Sequence, residues 1–263
     1  AAWGVLRQRY EDEHLSRKSD NTFSKTCTAM DAVERIISPK SAGAFQEPQI
    51  VTFTNVMLGE GKAAPTVASY LRQIRAALHW GKKAGILSSV PKFSFPDGWK
   101  RSKGRPITQE EFERMLTTCR KSRGKTSASW ERLLWGLWWS GLRINEIMHL
   151  TWNSEGLLTM DFSGKRPMFC IKAELSKNRK TERFPMSPEF YEMVMQVPES
   201  DRKGYVFNPK RKIENSIAIG RTKASRSSRV ISNIGEASRI KVADTSKGPR
   251  SAASHDLRRS FGF

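Results

Sequence analysis

The stretch that decides the fold is Trp139-Ser140-Gly141-Leu142-Arg143-Ile144-Asn145-Glu146-Ile147, read together with His255-Asp256-Leu257-Arg258-Arg259-Ser260-Phe261. In the first box Gly141 ends an apolar helix and Arg143 starts the next, with Glu146 three positions on and Ile147 and Leu150 turned to a core. A guanidinium there sits beside the positive end of a helix, where it can hold an anion while Glu146 braces it. An ordinary helix arginine paired to Glu146 is the alternative. In the second box His255 and Arg258 share a helical face by their spacing of three, while Asp256 and Arg259 point elsewhere. Imidazole beside guanidinium suits a phosphate whose charge grows in a transition state. A capping or half-buried histidine is the plain alternative for His255.

Between the boxes the periodicity changes. Leu157 to Phe162, Met168 to Ile171 and Arg183 to Met186 read as three short strands, joined at Gly164 and at the basic turn Ser176-Lys177-Asn178-Arg179-Lys180. Lys177 on that turn could reach a DNA groove and donate a proton to a leaving oxygen; Arg179 and Lys180 are rivals, and a solvated turn is the bland reading. Upstream, Thr108 and Glu111 form a capping box ahead of Phe112, Met115 and Leu116, and Trp130 to Trp139 is the most apolar helix. Helices are expected again at Pro188 to Gln196 and Ser227 to Ile240. The Ser/Arg-rich Gly220 to Arg229 is the expected mobile stretch.

The first hundred residues read as helices separated by breakers: Trp3 to Leu15, Ser24 to Ile37, Pro48 to Gly59, and a fourth capped by Thr66. In the fourth, Val67, Tyr70, Leu71, Ile74, Ala77 and Leu78 form the apolar stripe, and Arg72, Arg75, Lys82 and Lys83 lie on other faces as DNA-binding candidates. The segment 92–105, rich in Lys, Arg, Pro and Gly, reads as a linker; its Lys100, Arg101, Lys103 and Arg105, with Arg179 on the hairpin, complete the candidate contacts. The expected division is 1–98, a linker 99–105, and 106–263. The fold class is mainly α with a small antiparallel β-sheet (α+β).

Charge sets the partner. With 46 Lys plus Arg against 26 Asp plus Glu, the net charge is +20 over 263 residues, interleaved with apolar periodicity instead of confined to a tail. A folded surface shaped for nucleic acid follows. A ribosomal or chromatin protein would share the charge but rarely eight Trp. Cys27, Cys119 and Cys170 are scattered and odd in number, which indicates neither a disulfide framework nor a zinc site. No run has the length of a membrane span, so a cytoplasmic, nucleoid-associated protein is expected.

Ser140-Gly141-Leu142-Arg143-Ile144-Asn145-Glu146, with Leu150 and Trp152, resembles the first arginine box of the tyrosine recombinase (phage integrase) family. His255 to Arg258 resembles its His-x-Leu-Arg box. Lys177 falls where that family has its hairpin lysine, Pro65 to Leu87 looks like the last helix of its core-binding (SAM-like) domain, and Pro106 to Phe112 resembles the start of its catalytic domain. The resemblance implies double-stranded DNA cut and rejoined through a 3'-phosphotyrosyl intermediate, without cofactor or metal, by homo-tetramers on paired sites of a phage or mobile element. By it Arg143 and Arg258 bind the non-bridging oxygens of the scissile phosphate, Lys177 is the general acid, His255 assists proton transfer, and Glu146 supports them. The family's nucleophilic Tyr is expected after Phe263; Tyr10, Tyr70, Tyr191 and Tyr205 all precede the second box. The expectation is a catalytic domain incomplete at its C-terminus that binds DNA without cleaving it. A type IB topoisomerase-like enzyme and a non-cleaving regulator or remnant occupying recombination sites are the alternatives.

Overall fold

The structure, a computed structural model, describes residues 1–98, 104–176, 178–213, 216–218, 220–245 and 248–261. It divides into two compact units, Ala1–Arg101 and Ser102–Phe263.

The first unit holds α1 (Trp3–Glu13), α2 (Asp20–Ile36), α3 (Glu47–Gly59) and α4 (Ala64–Lys83). Its core joins Trp3, Leu6 and Tyr10 to Met30, Phe45, Phe53 and the buried stripe of α4. α2 starts four residues before the expected Ser24, because Ser19 Oγ accepts the backbone N–H of Thr22 and caps it there. α4 also starts early. Its N-cap is Ala63 and Pro65 occupies the first turn, so Thr66 is inside the helix and does not cap it. Val67, Leu71, Ile74, Ala77 and Leu78 are fully buried, while Arg72, Arg75, His79, Lys82 and Lys83 are exposed at helical spacing along the other side. One long helix thus packs the unit and carries a basic stripe.

In the second unit, α5 (Gln109–Arg123) packs against α6 (Ser127–Ser140), whose Trp130, Leu133, Leu134 and Leu137 are buried. Trp138 stacks on Phe112, with ring centroids 4.4 Å apart. The capping box forms as read: Thr108 Oγ1 accepts from Glu111 N at 3.2 Å and Glu111 Oε2 accepts from Thr108 N at 3.0 Å. A short α7 (Ile144–Ile147) leads to an antiparallel sheet, β1 (Leu158–Asp161), β2 (Met168–Ile171) and β3 (Glu182–Pro185), in the order β1-β2-β3. Leu158 pairs with Ile171, and Ile171 in turn with Glu182. α8 (Pro188–Met195) follows.

Two hairpins were not anticipated: β4 (Arg211–Ile213) with β5 (Ser216–Ala218), and β6 (Lys241–Thr245) with β7 (Gly248–Ser251). Between them α9 runs from Ala224 to Ala237, where a helix was expected over Ser227 to Ile240, and its start reaches back into the stretch expected to be mobile. The Ser/Arg composition hid that earlier start; on the inward face Ser227, Ile231, Ile234 and Gly235 are buried. Thr222, just before it, is buried and bonds Asn208 Oδ1 and the Pro209 carbonyl. Gly235 lets α9 lie on the chain leading to the last helix: a Cβ there would stand 2.1 Å from the Ala252 carbonyl oxygen. That helix, α10 (Ser254–Ser260), is tied to the start of the unit by Ile107 N donating to Ser260 Oγ at 2.8 Å.

Candidate phosphate-binding site

Gly141 takes φ +60° and ψ 10° at the C-terminus of α6, the left-handed conformation that ends a helix. Arg143 is therefore placed as the N-cap of α7, extended at φ −71° and ψ 150°. From the first turn of α7, Glu146 folds back on it. Its Oε2 accepts the Arg143 backbone N–H at 2.7 Å and its Oε1 accepts Arg143 Nη1 at 2.5 Å. Glu146 is only 5% exposed. The same carboxylate receives Arg258 Nη1 of α10 at 3.4 Å, across 112 positions of sequence.

Both guanidiniums reach solvent, Arg143 with 42% and Arg258 with 35% of the side chain exposed. They line a cleft of about 390 Å³ with Glu146, Ile171, Glu182, Phe184 and Phe261. The Arg258 pKa is pushed down, first by burial and then by the charge of Arg143; Glu146 opposes both. Two cations sharing one carboxylate leave one positive charge and a set of unspent N–H donors, which is what an oxyanion needs. Phe261 closes one wall with its ring over Gly141, where a Cβ would lie 2.6 Å from Cδ1.

α10 is itself anchored by Asp256, which is wholly buried. Its Oδ1 accepts from Arg250 Nη2 and Arg259 Nη1, each at 2.6 Å, and its Oδ2 accepts the Ala253 N–H at 3.1 Å. Asp256 and Arg259 thus lie away from Arg258, as their spacing requires. His255 is exposed on the first turn of α10 and is not among the cleft-lining residues.

Lys177 lies outside the described residues, as do Lys100, Arg101 and Lys103. On the hairpin, Arg179 is exposed with φ +53° and Lys180 is exposed beside it. Arg105 is built into the second unit: its fork binds Glu111 at 2.7 and 2.6 Å and its Nη2 also donates to the Lys241 carbonyl. Arg72, Arg75, Lys82 and Lys83 lie together on α4 of the first unit. The residues missed from sequence were Glu182, Phe184, Phe261 and Asp256. Only Asp256, three after the N-cap Ala253, carried a local signal, that of a helix-capping carboxylate.

Elsewhere, Tyr10 is buried in the first unit, Tyr191 meets Phe162, and Tyr205 lies under the Arg221 guanidinium at 3.6 Å. None of the four tyrosines lines the cleft. Burial pushes the Cys119 thiol up to about 12, which makes it a poor nucleophile. Among the described residues no group of three His, Cys, Asp or Glu is placed to hold a metal ion, and no helix is long and apolar enough to cross a membrane.

Solved structures share this arrangement of elements. The lambda integrase bound to DNA superposes with a TM-score of 0.68 at 14% identity, over 99% of this chain and 85% of that one. The Tn1549 transposon integrase in complex with transposon right end DNA gives 0.68 at 14%, over 98% and 84%. A lambda integrase tetramer bound to a Holliday junction gives 0.65 at 14%, over 99% and 69%. At these identities the likeness is one of fold. No curated protein sequence matches the chain. The model of the phage integrase family matches residues 105–263, the whole of the stretch that carries both arginine boxes, and the chain belongs to that family.

Proposed function

We propose that the protein is a site-specific tyrosine recombinase or integrase acting on double-stranded DNA, and that the Arg143–Arg258 cleft receives the scissile phosphate. The observation that carries this reading is the buried Glu146, which draws Arg143 and an arginine 112 positions beyond itself to one cleft and leaves both partly exposed. In this reading Arg143 and Arg258 neutralise the non-bridging oxygens and stabilise the charge that builds on them in the transition state. Glu146 sets their orientation. Lys177 on the hairpin protonates the leaving 5'-hydroxyl and His255, one turn before Arg258, assists proton transfer. The basic stripe of α4 supplies contacts to the DNA backbone, and the +20 charge supplies steering. The homo-tetramer of the full protein on paired sites, and a place in the cytoplasm with the nucleoid, belong to the same reading; the DNA-bound state of the similar integrases supports them.

With no tyrosine on the cleft, the chain is proposed to bind DNA without forming a covalent adduct. Titration of a duplex against the chain across a salt series tests the first half: log affinity should fall linearly with log salt, by about 0.9 for each phosphate contact. Incubation with a nicked suicide duplex tests the second. A phosphotyrosyl adduct would overturn it.

A further inference from the structure

The helix that carries Arg143 and Glu146 is too short to hold its own shape. α7 has four residues, about one turn, and a helix of that length is unstable without outside partners. Its backbone carbonyls show where the support comes from. Those of Arg143 and Ile144 accept the N–H groups of Ile147 and Met148, at 2.9 and 3.2 Å. The Asn145 carbonyl is met by Nδ1 of His149 at 2.7 Å, that of Glu146 by the His149 N–H at 2.8 Å, and that of Ile147 by the Leu150 N–H at 3.2 Å. The next carbonyl, on Met148 at the C-cap, takes its partner from far along the chain: Arg221 Nη2, 73 positions on.

Arg221 is itself held on two sides. Its guanidinium carbon lies 3.6 Å from the centroid of the Tyr205 ring. Tyr205 belongs to a segment that pairs with the residues following α7: Trp152 N donates to the Gly204 carbonyl and Val206 N to the Leu150 carbonyl, both at 2.9 Å, around a bridge between Thr151 and Tyr205. Next to Arg221, Thr222 is buried, with its N–H on Asn208 Oδ1 at 3.1 Å and its Oγ1 on the Pro209 carbonyl at 2.8 Å. Ring, guanidinium and Met148 carbonyl therefore close a triangle over the end of α7. Arg221 and Tyr205 are both exposed, and neither lines the Arg143–Arg258 cleft.

Resting on the phosphate-binding reading above, we infer that Arg221 is a positioning residue: seated on Tyr205, it caps the C-terminal end of α7 and so fixes the turn whose other end presents Arg143 to the phosphate. A guanidinium over an aromatic face is attracted to the ring, and a charged donor on the last carbonyl of a helix satisfies an acceptor that the helix itself cannot. Both contacts spare α7 the entropy of ordering at the moment of binding. The role is indirect. Arg221 needs no contact with DNA.

An exposed cation can also meet DNA directly, and the experiment separates the two roles. Duplex affinity is measured across a salt series for the full chain as wild type, Arg143→Ala, Arg221→Ala, Tyr205→Ala and Tyr205→Phe. Arg221→Ala and Tyr205→Ala are then each combined with Arg143→Ala. The expected results are several-fold weaker binding by Arg221→Ala and by Tyr205→Ala, which removes no charge, and wild-type binding by Tyr205→Phe, which keeps the ring. In the Arg143→Ala background either change should cost little more, because the group being positioned is gone. An equal loss in that background overturns the inference: a phosphate contact made by Arg221 itself lowers the salt slope by about 0.9 with or without Arg143. A Tyr205→Ala chain that binds like wild type overturns it as well, as does a Tyr205→Phe chain as weak as Tyr205→Ala. A wild-type chain with no salt dependence, or an Arg143→Ala variant that binds like it, defeats the phosphate-binding reading itself and is seen before any Arg221 variant is compared.

Discussion

Glu146 receives Arg143 at 2.5 Å and Arg258 at 3.4 Å, whereas Asp256 receives Arg250 and Arg259 on one oxygen at 2.6 Å each. Each is a buried carboxylate between two arginines, and each set carries one net positive charge. Exposure does not separate them: Arg258, Arg250 and Arg259 show 35%, 35% and 34% of the side chain. The second bond does. Arg258 is held loosely, on the wall of a cleft, with its pKa pushed down by burial and by Arg143. An anion entering that cleft relieves both penalties. Asp256 is wholly buried and has two short bonds, so its arginines serve to fix β7 and α10. If the cleft takes an anion as proposed, the same composition gives a ligand site or a structural node according to whether the carboxylate consumes its partners.

The largest effect should come from breaking the node. Asp256→Ala leaves two part-buried guanidiniums and the Ala253 N–H without an acceptor, at a cost of about 3–5 kcal/mol. Urea unfolding of the whole chain measures it. A loss below about 1 kcal/mol would make Asp256 no more than a surface ion pair and erase the contrast. Next comes Gly141→Ala, at about 1–3 kcal/mol, because φ is +60° and the Phe261 ring lies over the site. Adding Phe261→Ala should restore the steric part and leave the backbone part, which a four-member set of melting curves resolves.

Binding separates the two carboxylate sets directly. Arg143→Ala and Arg258→Ala should each lower the salt slope by about 0.9 with little loss of stability. Arg250→Ala and Arg259→Ala should lower stability and leave the slope in place. Equal slopes for all four variants would mean that the cleft is not where phosphate sits.

What was legible in the sequence was local. The break at Gly141, the Arg143–Glu146 pairing, the Thr108–Glu111 box and the two faces of α4 all follow from spacings within a helix, where a few positions fix geometry. The Glu146–Arg258 contact spans 112 positions, and no periodicity points to it; only the resemblance to a family joined the two boxes. Asp256 was placed on the correct face, but its partner Arg250 lies on a hairpin whose residues Lys241 to Ser251 lack strand alternation. A helix was expected from Ser227 on, but the start of α9 at Ala224 escaped for a related reason. Ser and Arg dominate its first turns, and its helical state is set by burying Ile231 and Ile234, a tertiary gain that propensity does not display. The hydrogen bonds that Glu182 accepts from Ser176 and Asn178 depend on a strand register that pairs residue 182 with Ile171.

A third carboxylate between arginines gives the smallest expected effect and places the other two on a scale. Glu111 accepts the Arg105 fork at 2.7 and 2.6 Å and the Thr108 N–H at 3.0 Å, with Arg114 at 3.8 Å. The Arg105 bond, more than any other contact, holds its pKa below the ordinary carboxylate value. Because the folded value is the lower one, the pairing contributes fully above the unfolded pKa of about 4.3 and is lost as pH falls through the folded value. Arg105 is 45% exposed, so water screens the pair and the contribution should stay under about 1 kcal/mol. Urea midpoints between pH 6 and pH 3 should fall for the wild type and fall less for Glu111→Gln, which starts lower and has no proton to take up. If the two curves stay parallel, the Arg105 fork adds nothing to stability, and water screens an arginine half open to solvent as fully as it does an isolated surface pair.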